Sequence, residues 1–276
     1  MTFHLLLFIS TLAGIVGALS GMGGGVILVP VLSFLGIDIK QAIAISNLST
    51  VAVSNSAAPG YLRRHMPNLK AGTFLELFAV IGALGGALMT LFAQRAVLFL
   101  ICGGILLALA FMLWKQRRRE WKPASRQDAY SRWLSVEGGY YDDAEGRTIF
   151  YRGHRALLGG PLMALAGMTT GLLGLGGSAL AVLIQQEVMG LPAKVSLTTS
   201  NLIIGVMALA GSNIYMEGGL INSKLVAPVI LGVPIGALIG SRLLVHLPNR
   251  WVRLAFLSVI ILLGLEMMAH GLRRSG

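Results

Sequence analysis

Continuous runs of apolar residues, separated by short turns that contain glycine, proline or charged residues, occupy most of this 276-residue chain. Most of the runs have the roughly 20 residues that an α-helix needs to cross a lipid bilayer. Because apolar and polar residues do not alternate within the runs, the pattern predicts membrane helices and not the strands of a barrel. The predicted segments are residues 3–20, 25–36, 41–60, 71–92, 96–114, 156–173, 178–190, 195–216, 223–244 and 251–270.

Two of these ten segments, 25–36 and 178–190, are shorter than the others. At a rise of about 1.5 Å per residue, neither can cross the hydrocarbon layer as a single helix. We therefore expect each of them to be re-entrant or part of a broken helix. The predicted fold class is an all-α, polytopic membrane protein with about ten helical segments.

The composition supports this fold class and excludes others. Apolar residues make up 55% of the chain and charged residues only 12%, which is about half the charged share of a typical soluble domain. The hydrophobic content excludes a disordered chain. The single cysteine, Cys102, excludes an intrachain disulfide.

The loops account for the formal net charge of +11. When the ten segments alternate between the two sides, 17 of the 22 Lys and Arg residues fall on one side, ten of them in residues 115–155. Basic residues mark cytoplasmic loops, so the sequence predicts that residues 115–155 are cytoplasmic. Both termini are then expected outside the plasma (inner) membrane. The charge gives no reason to expect a nucleic-acid partner.

The two halves of the chain resemble each other at a nearly constant offset. The run Gly21–Gly25 corresponds to Gly174–Ser178 at an offset of 153, and from Gly36 onward the offset is 154. Each repeat holds five segments, and because five is odd the second copy enters the membrane from the opposite side. The polar and apolar matches are Lys40 with Lys194, Ser46–Leu48 with Ser200–Leu202, Tyr61 with Tyr215, Asn68 with Asn222, and Ile81–Leu84 with Ile235–Leu238.

The sequence therefore predicts two inverted repeats, residues 1–114 and 156–276, which is the architecture of many secondary transporters. The cytoplasmic linker 115–155 joins them. Within the linker, Tyr140-Tyr141 and Thr148–Tyr151 flank an acidic turn and favour a small β-hairpin.

The glycine turns adjoin the two short segments, which is where inverted-repeat transporters bind their substrates. Glycine lets the backbone approach a ligand, and the start of the following helix offers an anion unpaired N–H groups and a partial positive charge. The alternative is helix packing, because Gly21 and Gly25 form a G-x-x-x-G pair. The candidate binding residues are Gly23, Gly24, Gly25, Gly176, Gly177 and Ser178.

A serine–asparagine pair lies in the third segment of each repeat, Ser46-Asn47 in the first and Ser200-Asn201 in the second. An amide within hydrocarbon is costly unless it is hydrogen-bonded. Each of the four residues is a candidate for substrate binding, with the asparagine N–H₂ as donor to an anion. An interhelical hydrogen bond is the alternative role.

Ionisable residues are few within the apolar segments. Glu76 and Glu266 are candidates for proton coupling, with an ion pair or a position at an interface as the alternative. The sequence has no metal-binding spacing of histidines and no Walker loop. We therefore expect no metal, no cofactor and no ATP-driven step.

The Gly21–Gly25 turn followed by Val29-Pro30, the second glycine turn at 176–177 and the two Ser-Asn pairs resemble the sulfite exporter TauE/SafE family of membrane permeases. The resemblance covers nearly the whole chain, with residues 115–155 as an insertion. It implies transport of a small sulfur-containing anion such as sulfite or an organosulfonate. The two halves are expected to be unequal, because Ser178 stands opposite Gly25 and Leu183 stands opposite Pro30.

These observations together predict a secondary transporter and not an enzyme. A small anion is expected between the glycine turns, held by their N–H groups and by Asn47 and Asn201, while one half rocks against the other. The alternatives are a channel or a carrier for an uncharged small metabolite, and an intramembrane enzyme, against which the scattered histidines count. The expected partners are the anion, the lipid bilayer and, as a candidate, a second copy of the chain in a homodimer.

Overall fold

The computed structural model describes residues 3–20, 24–63, 66–115, 127–142, 146–174, 177–244 and 249–275, and these are mostly helical. The first half contains α1 (Phe3–Ser20), α2 (Gly25–Phe34), α3 (Ile39–Arg63), α4 (Leu69–Phe92) and α5 (Arg95–Lys115). Between the halves lie α6 (Ala129–Trp133), β1 (Glu137–Asp142) and β2 (Arg147–Arg152). The second half contains α7 (Ala156–Leu173), α8 (Gly177–Leu183), α9 (Ala193–Glu217), α10 (Ser223–Leu244) and α11 (Asn249–Ser275).

Several of these helices have the length and composition of membrane spans. Within the described residues, four helical stretches are long and apolar enough to cross a bilayer: Leu69–Phe92, Ala156–Leu173, Ala193–Glu217 and Ser223–Gly240. Further apolar helical stretches are shorter. The helical membrane class predicted from the apolar pattern is therefore confirmed, and α1, α7 and α10 have the predicted bounds.

The second helix of each half is short, and the two differ in form. α2 has 10 residues with Pro30 inside it, so it is about 15 Å long. α8 has 7 residues and continues into a π-helical stretch, Ile184–Val188. A π turn inserts an extra residue into the helical register and turns the following side chains to a new direction. The apolar pattern of residues 178–190 did not predict this change of helix type.

A two-stranded hairpin connects the halves at one end of the bundle. β1 and β2 pair antiparallel, with Tyr140 opposite Ile149. Asn68 attaches the hairpin to the start of α4, because its Nδ2 lies 3.3 Å from the Tyr151 hydroxyl while its Oδ1 accepts the Ala71 N–H. The hairpin therefore packs against the membrane helices.

The main helix pairs join one half of the chain to the other. α1 packs against α10, and α4 packs against α7, which is the corresponding pair with the halves exchanged. α3 packs against α9, and α5 packs against α11, so each of these helices meets its own counterpart. Neither half therefore buries its apolar surface alone.

Glycines allow these pairs to approach at matching positions. A Cβ on Gly82 of α4 would overlap the carbonyl oxygen of Ala164 in α7. A Cβ on Gly236 of α10 would overlap the carbonyl oxygen of Thr11 in α1. Both partners in the second contact correspond to those in the first at the offsets found in the sequence. Small residues at these points let the helix backbones touch.

Large apolar side chains cover the outer faces of the bundle. Exposed apolar side chains are expected on surfaces that contact lipid chains. On α4 and α10 they also occupy corresponding positions. These exposed residues include Leu77, Ile81 and Leu84 on α4 and Leu231, Ile235 and Leu238 on α10.

The contact between α4 and α7 is tested by two glycines on the same helix. Gly82→Ala places a methyl group on the Ala164 carbonyl, whereas Gly85 faces open space. We expect Gly82→Ala to lower the free energy of unfolding by about 1–3 kcal/mol, the usual cost of overpacking. Gly85→Ala should be neutral or stabilising by up to about 1 kcal/mol, because alanine is the better helix former. Thermal unfolding in detergent measures both, and equal midpoints for the two variants would contradict the packing.

Candidate functional site

The glycine turn of the second half lies against the first turn of α2 in the first half. Gly174 ends α7 with φ of 64°, a left-handed conformation that glycine adopts without strain. A Cβ on Gly25 would overlap the Gly174 carbonyl oxygen and would lie 2.5 Å from the Ser46 Oγ. The structure thus brings together Gly25, Ser46 and the start of the second glycine turn. The predicted residues Gly23 and Gly176 lie outside the described residues.

The glycines that precede the two short helices also serve helix packing. The Cβ position of Gly24 lies 3.4 Å from the Ala13 carbonyl oxygen. The Cβ position of Gly177 would meet the side chain of Thr170 and the carbonyl oxygen of Ala166, which corresponds to Ala13. Packing is therefore one role of these turns.

The serines of the two Ser-Asn pairs have different partners. Ser46 is fully buried and donates its hydroxyl to the Gly174 carbonyl oxygen at 2.7 Å, which ties α3 to the end of α7. Ser200, also buried, lies 2.7 Å from Nε2 of Gln185 and accepts its hydrogen bond. The two equivalent positions are therefore bonded in different ways, as the sequence departures between the halves suggested.

Asn47 is buried, and among the described residues it has no hydrogen-bond partner on another helix. Its Nδ2 donates to the Ile43 carbonyl of its own helix, at 3.3 Å. Within the described part of the chain its Oδ1 has no hydrogen-bond partner. That oxygen lies 3.8 Å from the position that a Cβ on Gly211 of α9 would take. In the part of the chain that the structure describes, this amide therefore does not make the interhelical bond that was its alternative role.

Asn201 resembles Asn47 in one respect. Its Oδ1 is buried and has no hydrogen-bond partner among the residues that the structure describes. One end of its side-chain amide is hydrogen-bonded to the Tyr61 hydroxyl of α3, and its backbone carbonyl accepts the Ser54 hydroxyl. Both the side chain and the backbone of Asn201 therefore bond to α3, and Oδ1 is the end of the amide that is left unused.

Gln185 is a polar residue of this region that the sequence analysis missed. It lies in the π-helical stretch, is fully buried and contacts Ser200. The sequence does contain a signal for it, an amide within a short apolar segment. Such a group is costly in a membrane unless it is hydrogen-bonded, so its presence there indicates a specific partner. Its position next to the Ser-Asn pair depends on the π turn, which the sequence pattern does not reveal.

The remaining candidates from the sequence are Ser178, Glu76 and Glu266. Ser178 is buried at the start of α8. Glu76 is half-buried on α4 and Glu266 is exposed on α11, and within the described ranges no hydrogen bond joins either carboxylate to the candidate site. In that same part of the chain, no group of three or more His, Cys, Asp or Glu side chains is placed to hold a metal ion.

The described candidate site is therefore closed and built from uncharged groups. Its residues are buried except Asn201, which is half-buried. They supply hydroxyls, primary amides and the N–H groups at two helix starts. The set comprises Gly24, Gly25, Ser46, Asn47, Gly177, Ser178, Gln185, Ser200 and Asn201.

A cavity of about 210 Å³ opens at the other end of α2. It lies about one α2 length, or roughly 15 Å, from the glycine turns. An ion pair forms part of its wall, with Nε of Arg95 2.5 Å from Asp38 Oδ2. None of its lining residues belongs to the glycine turns or the Ser-Asn pairs, so this cavity is separate from the candidate site. Its lining residues are Ser33, Gly36, Ile37, Asp38, Arg95 and Phe99.

Comparisons with known proteins agree on one family. The sequence profile described as "Sulfite exporter TauE/SafE" matches residues 6–267. The chain is 27% identical to the probable membrane transporter protein YunE of Bacillus subtilis (strain 168), over 99% of both chains. It is 24% identical to the probable membrane transporter protein YfcA of Escherichia coli (strain K12), over 96% of this chain and 90% of that protein. The probable membrane transporter protein ORF9 of a Sinorhizobium species is 34% identical over 40% of this chain and 43% of its own. No solved structure matches the chain significantly.

Two neighbouring glycines test whether the turns meet as described. A methyl group on Gly25 would overlap the Gly174 carbonyl oxygen, but on Gly24 its nearest neighbour would be at 3.4 Å. We expect Gly25→Ala to lower the free energy of unfolding by about 1–3 kcal/mol. Gly24→Ala should change it by no more than about 0.5 kcal/mol. The measurement is thermal unfolding in detergent, and a Gly25→Ala protein as stable as Gly24→Ala would show that the turns do not meet.

Proposed function

Because this chain belongs to the sulfite exporter TauE/SafE family, whose similar proteins are named as membrane transporters, we propose that it is a secondary transporter for a small anion. The anion is a sulfur-containing one, such as sulfite or a short organosulfonate. The transporter works by alternating access between two inverted repeats. The family and the names of its relatives indicate a permease and argue against the intramembrane enzyme.

The observation that carries this proposal is a pair of asparagine amides, Asn47 and Asn201, whose Oδ1 atoms are buried without a hydrogen-bond partner among the described residues. A buried polar atom without a partner costs about 1–3 kcal/mol. A ligand that carries a hydrogen-bond donor would satisfy these oxygens. Each N–H₂ group makes one bond, to the Ile43 carbonyl or to the Tyr61 hydroxyl, and its second N–H is a donor that an oxyanion accepts. The start of α2 adds N–H groups with a partial positive charge.

The reciprocal packing supports an inverted repeat made of residues 1–114 and 156–276. The contact of Gly82 with Ala164 and that of Gly236 with Thr11 join corresponding positions with the halves exchanged. Such a pattern follows from a two-fold axis that relates the halves. An axis of this kind lies in the membrane plane when each repeat has an odd number of crossings.

The same arrangement supports alternating access. The candidate site takes residues from both halves, and Ser46 of one half is bonded to Gly174 of the other. Its residues are buried, so a ligand reaches them only when the halves separate on one side. Rocking of one repeat about the other opens the two sides in turn.

Contacts at the two ends of the bundle support the proposed orientation. Lys70, at the start of α4, lies 3.3 Å from the Ser135 hydroxyl next to the hairpin. At the far end of α4, Lys40 donates to the Leu91 carbonyl, and Arg95 pairs with Asp38. The end that carries the hairpin and most basic residues is the cytoplasmic one under the positive-inside rule. The other end faces outward from the plasma membrane, as do the termini.

A channel or carrier for an uncharged metabolite is the second candidate. The uncharged lining favours it, because amides and hydroxyls also bind neutral polar solutes. The dependence of transport on membrane voltage separates the two. A neutral-solute carrier moves its substrate independently of membrane voltage, whereas transport of an anion without a compensating ion responds to voltage.

The transport prediction concerns the two asparagines. In proteoliposomes that contain the purified protein, we expect uptake of at least one of sulfite, sulfate, thiosulfate or a short sulfonate, measured with and without a proton gradient. Asn47→Ala and Asn201→Ala should each weaken apparent affinity by about 5- to 150-fold, which corresponds to about 1–3 kcal/mol for a lost buried donor.

The control is Asn213→Ala, which removes an exposed amide from α9 and should transport normally. Normal affinity in both Asn47→Ala and Asn201→Ala would disprove the role of the amides. The absence of flux for every anion, in every gradient, would disprove anion transport.

Cysteine labelling tests the orientation. The native Cys102 is fully buried and gives little background. With a membrane-impermeant maleimide on intact cells, Lys224→Cys should be labelled at once, whereas Thr148→Cys in the hairpin should be labelled only after the cells are permeabilised. Both positions are exposed in the structure. The reverse result would place the hairpin outside.

A further inference from the structure

Gln185 has features of a binding residue that packing alone does not explain. Its side chain is fully buried in the π-helical stretch that follows α8. Nε2 donates to the Ser200 hydroxyl at 2.7 Å. In the described part of the chain the other end of the amide, Oε1, has no hydrogen-bond partner.

Ser196 adds a second unused group next to this amide. It lies one helical turn before Ser200, so both hydroxyls lie on the same face of α9. Ser196 is fully buried, and its Oγ has no partner among the described residues. Gln185, Ser196 and Ser200 therefore form a buried polar cluster with unsatisfied atoms.

The first half of the chain has no equivalent cluster. At the repeat offsets, Gln185 corresponds to Val31 or Leu32 of α2, and Ser196 corresponds to Ala42. All three counterparts are apolar, and α2 contains no π turn. The helix contacts match between the halves, but this polar cluster belongs to the second half alone. Polar groups present in one half and absent from the other favour binding of a ligand in one orientation.

The chemistry of primary amides restricts what that ligand is. A primary amide presents one acceptor oxygen and two N–H donors. The structure turns Nδ2 of Asn47 toward the Ile43 carbonyl and Nε2 of Gln185 toward the Ser200 hydroxyl. Asn47, Asn201 and Gln185 each leave an acceptor unpaired. An anion that carries only acceptor oxygens cannot satisfy these atoms. The site residues also carry no positive charge, so a dianion would be buried without a counter-charge, which is costly.

We infer that Gln185 is a specificity-determining residue of the candidate site, and that the site selects a singly charged anion that also carries an O–H or N–H donor. This inference rests on the proposed anion transport and adds the substrate class to it. Gln185 and Ser196 bind the donor end of the ligand, while the asparagine N–H₂ groups bind its acidic end. A site built to hydrogen-bond a polar substituent discriminates strongly against an analogue without it, because its own buried groups are then left unpaired.

Two sulfonates of equal charge and similar size test the selectivity. In 2-hydroxyethanesulfonate a hydroxyl takes the place of the terminal methyl of 1-propanesulfonate. As competitors of labelled sulfite uptake in proteoliposomes at one fixed pH, the hydroxylated compound should bind the wild-type protein at least about 10-fold more tightly. Sulfate, a dianion without a donor, should compete poorly.

The variants test the residue. Gln185→Met keeps the length of the side chain and removes the amide, and it should reduce the ratio of the two sulfonate affinities to about one. Gln186→Met, one position along the π-helical stretch and less buried, is the matched control and should keep the wild-type ratio. Ser196→Ala removes a hydroxyl without a described partner and should narrow the ratio even if Gln185→Met does not fold.

The outcomes separate this inference from the function on which it rests. A wild-type ratio near one, with normal sulfite uptake, overturns the selectivity and leaves anion transport standing. A ratio retained in both Gln185→Met and Ser196→Ala assigns Gln185 a purely structural role through Ser200. The absence of uptake for every anion disproves the proposed function instead.

Discussion

Inside a membrane, a peptide group that loses its helical partner has no water to replace it, and the centre of this molecule depends on that constraint. α7 ends at Gly174, whose N–H still bonds to the Thr170 carbonyl at 2.8 Å. The Gly174 carbonyl oxygen accepts the hydroxyl of Ser46 from the other half. Gly25 lies against the same carbonyl and can do so because it has no Cβ. The break in the helix and the contact between the halves therefore require each other.

Around this centre, the backbone contacts of the two halves match, but the hydrogen bonds of their polar side chains differ. Backbone contacts at glycines repeat between the halves with the partners exchanged, since a backbone carbonyl is present whatever the side chain. The hydrogen bonds of the matched serine side chains are not repeated. Ser46 bonds to a backbone carbonyl, whereas Ser200 bonds to Gln185, which only the second half possesses. Under the proposed function, the matched backbone contacts let the two halves open toward either side by the same motion. The unequal polar side chains hold the substrate in one orientation.

The candidate site shows which parts of a binding site a sequence can predict. The glycine turns and the Ser-Asn pairs stood out because they recur at one offset, and the structure brings Gly25, Ser46 and Gly174 together. The sequence could not show whether the Asn47 amide bonds to another helix, because that depends on the residue that faces it. In the structure Gly211 of α9 faces its Oδ1 atom. Gln185 was missed because it has no counterpart in the first half and its direction is set by a π turn.

The sequence alone determined the helical membrane class and the bounds of α1, α7 and α10, because bilayer thickness sets the length of apolar runs. It also showed which residues of the two halves match at a nearly constant offset. It also determined the family, through motifs that the family profile matches over residues 6–267. Only the tertiary structure decided which helices face each other, that α8 changes to a π helix, and which buried amides remain unpaired. Most of these properties arise from contacts between different helices, such as Ser46 with Gly174 across 128 positions, and no local pattern encodes such contacts.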